Sequence, residues 1–267
     1  KATVQRLKSY KFIAPSRTGL FCSFVKRIRQ MQQLANRLAM QHFVNAYTQE
    51  TGKGHLLNND QQNSQQQAFS QGLTLLFIPI HSIQAYCYFP LSYVSRVGRH
   101  RLANLPQIII HGQIKTLSPI TIIGLLLEEL VLESSVPLDA ASLVEKWIQS
   151  RDALQQFLVQ REEDFNDLVK AGQSFIETEQ ALILGHSMHP APKSRTGFVH
   201  EDWLKFSPEH KGKTQLYYWL VHQDYISEGS ATDESISAQL KTALQWYLSE
   251  NDLNLLKTHA EYKLLPL

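Results

Sequence analysis

The feature that most constrains the fold is a change of pattern near residue 118. Before it the chain carries short apolar runs broken by prolines and glycines. Leu73 to Ile78 ends at Pro79, Ala85 to Phe89 and Leu91 to Val94 are rich in aromatics, and Gln107 to His111 contains three consecutive isoleucines. Runs of this length and composition predict antiparallel strands. After it the period becomes helical. Ser118-Pro119 offers an N-cap followed by proline at the first helical position. Asp139 can cap a second helix, on which Leu143, Trp147, Leu154 and Leu158 share a face. Ser174 and Glu177 have capping-box spacing. Gln215 to Val221 reads as a strand, and Asp233 can open a last helix carrying Ile236, Leu240, Leu244 and Leu248. Strands followed by helices, without regular βαβ alternation, predict an α+β fold with helices packed on an antiparallel sheet.

Other segments are assigned by the same reasoning. Leu34, Leu38, Val44 and Tyr47 predict an amphipathic helix over residues 32–48. The glutamine-rich stretch Leu56 to Ser70 has little to bury and reads as a loop. Arg161 to Asp164 reads as a solvated face, with Phe165, Leu168 and Val169 continuing the apolar pattern after it. Lys205 to Lys213 reads as a polar loop.

The chemistry concentrates between Gly185 and Phe198: Gly-His-Ser-Met-His-Pro-Ala-Pro-Lys-Ser-Arg-Thr-Gly-Phe. Pro190 and Pro192 fix φ and remove two donors, so the segment is expected to be a stiff, extended loop. Residues two apart on an extended chain face the same way, about 6–7 Å apart, so Lys193 and Arg195 would project together. An ammonium beside a guanidinium suits a polyanion such as a phosphate or polycarboxylate. The prolines exclude a P-loop, and His186 and His189 lack helical zinc-ligand spacing and a nearby cysteine, so no metal site is expected here.

This run resembles the Gly-His-x-x-His-Pro-x-x-Lys-x-Arg-x-Gly-Phe signature of the IucA/IucC-type siderophore synthetases, enzymes independent of non-ribosomal peptide synthetases. The approach through Phe175-Ile-Glu-Thr-Glu-Gln-Ala-Leu182 is similar to the helix that leads into that signature. A weaker likeness extends from about Ala35 to the end. The resemblance implies an ATP-dependent ligase. Such enzymes activate citrate or a citrate derivative as an acyl-adenylate, then condense it with an amine or hydroxyl of a polyamine, amino acid or amino alcohol. It implies a cupped-hand fold, with a thumb-like region over 31–172 and the start of the fingers over 173–267, while the charge pattern sets residues 1–30 apart as a basic extension. It assigns catalytic roles to His189 and Arg195, and nucleotide or substrate contacts to His186, Ser187, Lys193 and Arg195. ATP and Mg2+ are the implied cofactors, with most magnesium ligands in the later part of a family chain. A homodimer fits the same resemblance. A family chain continues past the equivalent of Tyr262–Leu267 into a His-Pro-Trp-Gln segment. The expectation is therefore an N-terminal portion that is inactive alone. The alternative is a non-enzymatic scaffolding or dimerisation module.

Composition bounds the rest. At 43% hydrophobic content the chain can build a real core. No apolar run reaches the eighteen or so residues of a membrane span, so no membrane partner is expected. Cys22 and Cys87 read as free buried thiols, which fits a reducing cytoplasm. Residues 1–30 hold eight of the 26 Lys and Arg and none of the 24 Asp and Glu. They read as an upstream extension rather than a nucleic-acid-binding arm.

Overall fold

A computed structural model describes residues 17–167, 170–215, 217–227, 229, 231, 236–244, 248–259 and 261–266. The chain forms two compact units, residues 1–212 and 213–267. The first opens with helix α1 (Arg17–Thr51). Then come β1 (His55–Leu57), α2 (Ser64–Ser70), β2 (Thr74–Ile80), β3 (Ala85–Tyr93), β4 (Arg101–Leu102), β5 (Gln107–Ile110) and β6 (Gln113–Lys115). Helices α3 (Pro119–Glu133), α4 (Ala140–Gln160), α5 (Phe175–Ala181) and α6 (His200–Phe206) complete the unit.

The sheet is antiparallel throughout, in the order β1-β2-β3-β5-β6, with β4 paired to the far half of β3. Alternate residues therefore share a face. Leu76, Ile78, Ile80, Cys87, Phe89 and Ile108 point at α1, α3 and α4 and are buried with Met40, Phe43, Ile123, Leu126, Trp147, Leu154 and Phe157. The opposite face carries Leu75, Phe77, Tyr88 and Ile109, covered by Phe69 of α2. The mixed helix-on-sheet architecture is thus the expected α+β arrangement. Two strand boundaries differ from expectation because of proline. β2 runs through Pro79, and β3 continues through Pro90 as one strand. Each proline sits where one flank lacks a ladder partner. Pro79 lies beyond the end of β1, and Pro90 falls between the stretches paired to β5 and β4. A missing N–H costs little there.

Helix α1 is longer than the apolar period predicts. It starts at Arg17 and runs unbroken past residue 30. Lys26, Arg27 and Arg29 are good helix formers on the exposed side, and nothing among them stops the helix. Arg27 pairs with Glu162. Further along, Ala35, Ala39, Met40, Phe43, Val44 and Tyr47 form the buried stripe. The small Ala39 lets α4 approach closely, and the Trp147 indole N–H donates to the Ala39 carbonyl at 3.1 Å. Cys87 is a free thiol at the centre of the core, and burial pushes its pKa far up. The Cys22 side chain lies outside the described residues.

The glutamine-rich stretch corrects the expectation of a loop. It folds as β1, a 3-10 turn at Asn59–Gln61 and α2. Asn63 caps α2 in a reciprocal box with Gln66. Gln62 is buried, its amide donating to the Leu73 carbonyl at 2.8 Å while its oxygen accepts from Ser70 at 2.6 Å. Gln66 donates to the Tyr88 hydroxyl at 3.0 Å. An apolar-pattern search misses a segment ordered by side-chain amides.

The caps expected at Ser118, Asp139 and Ser174 are all present, accepting from Thr121, Ser142 and Glu177 backbone N–H groups. Adjacent Glu128 and Glu129 point apart: Glu128 is exposed, while buried Glu129 accepts from the His81 and Ser82 N–H groups at 2.9 and 3.1 Å. Leu168 and Val169 lie outside the described residues.

In the second unit, β7 (Tyr218–His222) pairs antiparallel with β8 (Tyr262–Pro266). Helices α7 (Ile236–Leu244) and α8 (Glu250–Thr258) lie between them in sequence. The α7 helix carries Ile236, Leu240 and Leu244 as expected, but Leu248 lies outside it, and Asp233 falls outside the described residues. The sequence did not suggest α8, yet Ser249 and Asp252 form a capping box at its start.

Candidate functional site

The Gly185–Phe198 segment is held between the middle of α4, the end of α5 and the turn after α6. It is less extended than the prolines suggested. His189 N–H bonds the His186 carbonyl at 3.2 Å, and Ser194 N–H bonds the Ala191 carbonyl at 3.2 Å, so two turns fold it. Gly185 has φ of 74°, and a Cβ there would meet Pro192 Cβ at 2.8 Å. Only glycine lets the chain fold back on its own prolines at this point.

Lys193 and Arg195 do converge, but on a carboxylate of the chain itself. Lys193 is buried. Its backbone N–H donates to Ser150 Oγ at 3.0 Å, and its Nζ donates to the Leu182 carbonyl at 2.6 Å and to Glu209 Oε1 at 2.5 Å. Arg195 Nη2 lies 3.0 and 3.1 Å from the two Glu209 oxygens, and Nη1 donates to Ser207 Oγ. Trp203 and Phe198 flank the guanidinium, with ring centres 4.7 and 5.7 Å from Cζ. Burial works against the Glu209 charge. The Lys193 hydrogen bond and the two cations outweigh it and hold its pKa below the usual carboxylate value.

A second arginine braces this arrangement. Arg161 Nη1 donates to the Gln180 carbonyl at 2.8 Å and the Glu209 carbonyl at 2.7 Å, while Nε donates to Asp164 at 2.8 Å. Asp164 also pairs with Lys211 at 2.7 Å. Arg161 is therefore buried, which corrects its reading as part of a solvated face. Glu209 and Ser207 sit in what read as a polar loop. That stretch is the end of α6 followed by a 3-10 turn at Pro208–His210, closed by Gly212, where a Cβ would meet the Lys205 carbonyl oxygen at 2.6 Å. The Pro-Glu pair after a serine is a usable signal for such a turn, but nothing local says that the glutamate points inward.

His186 and His189 are exposed, and Ser187 is half-buried. His186 Nδ1 accepts from the Met188 N–H at 3.3 Å and His189 Nδ1 accepts from the Ala191 N–H at 3.0 Å. A neutral imidazole whose Nδ1 accepts carries its proton on Nε2. Both rings thus present an outward donor suited to an anionic oxygen.

His42 of α1 was not singled out by sequence and stands behind this loop. It is buried, and among the described residues its Nδ1 has no hydrogen-bond partner. Burial, then the charges of Lys193, His189 and His186, hold its pKa down to about 4. The folded protein therefore binds the proton less readily than the unfolded chain. Stability from a neutral His42 is present above the unfolded pKa of ~6.5 and is lost as pH falls towards 4. We expect a loss on the order of 3 kcal/mol across that window. Denaturant unfolding at pH 7 and pH 4.5 measures it, and His42→Gln should flatten the decline. An equally steep decline in His42→Gln would assign it to other groups.

A cavity of about 300 Å³ lies beside Arg195, lined by Gln149, Asp152, Gln156, Phe198 and Trp203. Among the described residues, no group of three or more His, Cys, Asp or Glu is placed to hold a metal ion. Glu209, the carboxylate nearest the signature cations, is already shared by two of them. These residues do not fit a magnesium site, and no step is assigned to one.

The sequence pattern of the IucA / IucC family matches residues 174–267, which include this whole loop and its Glu209 partner. Residues 174–267 thus match the IucA / IucC family. The chain's curated relatives include a spermidine-citrate ligase of Bacillus anthracis, 28% identical over 248 residues, which are 90% of this chain and 41% of that protein. An N(2)-citryl-N(6)-acetyl-N(6)-hydroxylysine synthase of Vibrio mimicus is 33% identical over 146 residues, 54% of this chain and 24% of that protein. Among solved structures, ATP-bound aerobactin synthetase IucA from a hypervirulent pathotype of Klebsiella pneumoniae superposes with a TM-score of 0.66 at 23% identity. That likeness covers 86% of this chain and 38% of that one, and it shows a shared fold. The chain thus spans about two fifths of the length of the Bacillus anthracis ligase and of the Klebsiella pneumoniae synthetase. No helix among the described residues is long and apolar enough to cross a membrane.

Proposed function

We propose that this chain belongs to an ATP-dependent ligase that activates citrate, or a citrate derivative, and joins it to an amine or hydroxyl. The relatives named as citrate ligases and citryl-lysine synthases support the substrate class. The ATP-bound state of the IucA relative supports the nucleotide. In this reading a citrate carboxylate oxygen attacks the α-phosphorus of ATP and pyrophosphate departs. The amine then attacks the acyl carbon and AMP leaves.

The observation that carries the reading is the division of labour in the signature. Lys193 spends its ammonium inside the protein and fixes the loop, whereas Arg195 keeps an edge towards the adjoining cavity. Among the described residues the Arg195 Nε–H has no acceptor, so the guanidinium retains a donor for a phosphate or carboxylate oxygen. His189 would orient the same anion through Nε2, with His186 and Ser187 supporting the loop from beside it. Preorganised donors of this kind act where charge develops on the phosphoryl oxygens. The thumb-like role of residues 31–172, the fingers role of 173–267 and action in the cytoplasm belong to this proposal. The free Cys87 thiol supports the last. The test is product identity. Citrate and an amine should drive ATP to AMP. Formation of ADP, or AMP release without citrate, would overturn the reading.

A further inference from the structure

The signature cations share a third partner that lies outside the signature. Glu209 is 4% exposed, and both its oxygens are occupied: Oε1 by Lys193 and Arg195, Oε2 by Arg195. Its own backbone carbonyl is clamped by Arg161 at 2.7 Å. Ser207, fully buried in the same turn, receives the other arm of Arg195. The turn cannot drift, because Ser207 O accepts from both His210 N–H at 3.1 Å and Gly212 N–H at 3.0 Å.

Two physical consequences follow. Without Glu209, Lys193 and Arg195 would be two like charges at close quarters in a region of low dielectric, and they would repel. With it, the forked contact fixes the plane of the guanidinium, since both Glu209 oxygens and Ser207 Oγ bind its Nη1 and Nη2 ends. Trp203 closes one face of that plane at 4.7 Å. The direction left over for the Nε–H is set by these contacts and not by Arg195 alone.

We infer that Glu209 is a positioning residue for Arg195: it aims the guanidinium at the incoming anion, and touches neither ATP nor citrate itself. This rests on the ligase reading and deepens it. A rival role is built from the same contacts. As an internal anion, Glu209 would compete with the ligand for both cations, and its loss would tighten anion binding.

A double-mutant cycle on ATP affinity separates the two. Calorimetric titration of ATP with magnesium would be run on the whole gene product carrying this chain, as the wild type, Glu209→Gln, Arg195→Ala and the double variant, at a temperature where circular dichroism shows each to be folded. Glu209→Gln should weaken binding on the order of tenfold, as loss of an orienting partner does elsewhere. The double variant should bind no more weakly than Arg195→Ala, because Glu209 acts through that side chain. Glu209→Asp keeps the charge and loses the forked reach, so it should fall between wild type and Glu209→Gln. It also carries the test if Glu209→Gln does not fold. Unchanged or tighter binding in both Glu209 variants would overturn the inference, as would losses that multiply in the double variant. A wild type that binds no ATP would instead sink the ligase reading, and this inference with it.

Discussion

Lys193→Met should lower the stability of the first unit by about 3–5 kcal/mol, because removing one partner of a buried pair leaves the other charge undercompensated. Three contacts depend on the ammonium or its placement: the Leu182 carbonyl at 2.6 Å, Glu209 at 2.5 Å and the Phe157 ring at 5.8 Å. Methionine fills much of the volume and restores none of the charge. For a unit of this size a loss of ~1 kcal/mol moves the melting temperature by about 2–4 °C, so a drop of roughly 10 °C is expected. Calorimetry of the purified variant reads it directly. A melting temperature within about 2 °C of wild type would mean that Lys193 is not the brace its burial indicates.

Arg195→Ala should behave differently. Its loss is expected to appear mainly in catalysis, as about 2–4 kcal/mol of transition-state stabilisation, the size seen when an oxyanion-type donor is removed. The measure is citrate-dependent AMP release, normalised to folded protein. Arg195→Lys should recover only part of it. An ammonium can keep one contact to Glu209, but it cannot hold both carboxylate oxygens and Ser207 together. Turnover equal to wild type in Arg195→Ala would remove Arg195 from the mechanism.

These expectations show where the sequence was legible. The caps at Ser118, Asp139 and Ser174 are local devices, with the bonding residue three or fewer positions from its target, so their spacing announces them. The apolar runs of β2, β3 and β5 are legible for a similar reason, since each is a short contiguous run of residues that are mostly buried. The signature loop was recognisable by its residues but not by its geometry. Its cations are expected to face a ligand because residues two apart on an extended chain project together. Their partner, Glu209, lies 16 and 14 residues further on, beyond a helix. Arg161 is joined to that turn across 48 residues, and His42 stands behind the loop from α1. Long-range charge pairing of this kind has no period to read. The glutamine-rich stretch failed for a related reason. Its order comes from amide hydrogen bonds such as Gln62 to Leu73, which a hydrophobic pattern does not register.

The central claim is that the gene product carrying this chain makes an acyl-adenylate before any amine is present. Exchange of labelled pyrophosphate into ATP tests that step alone, because only reversal of adenylate formation returns the label. Exchange should require citrate, should proceed without amine, and should fall on the order of 30- to 1000-fold in Arg195→Ala, in line with the loss expected at the transition state. Exchange that needs the amine, or that runs equally well without citrate, would contradict the account.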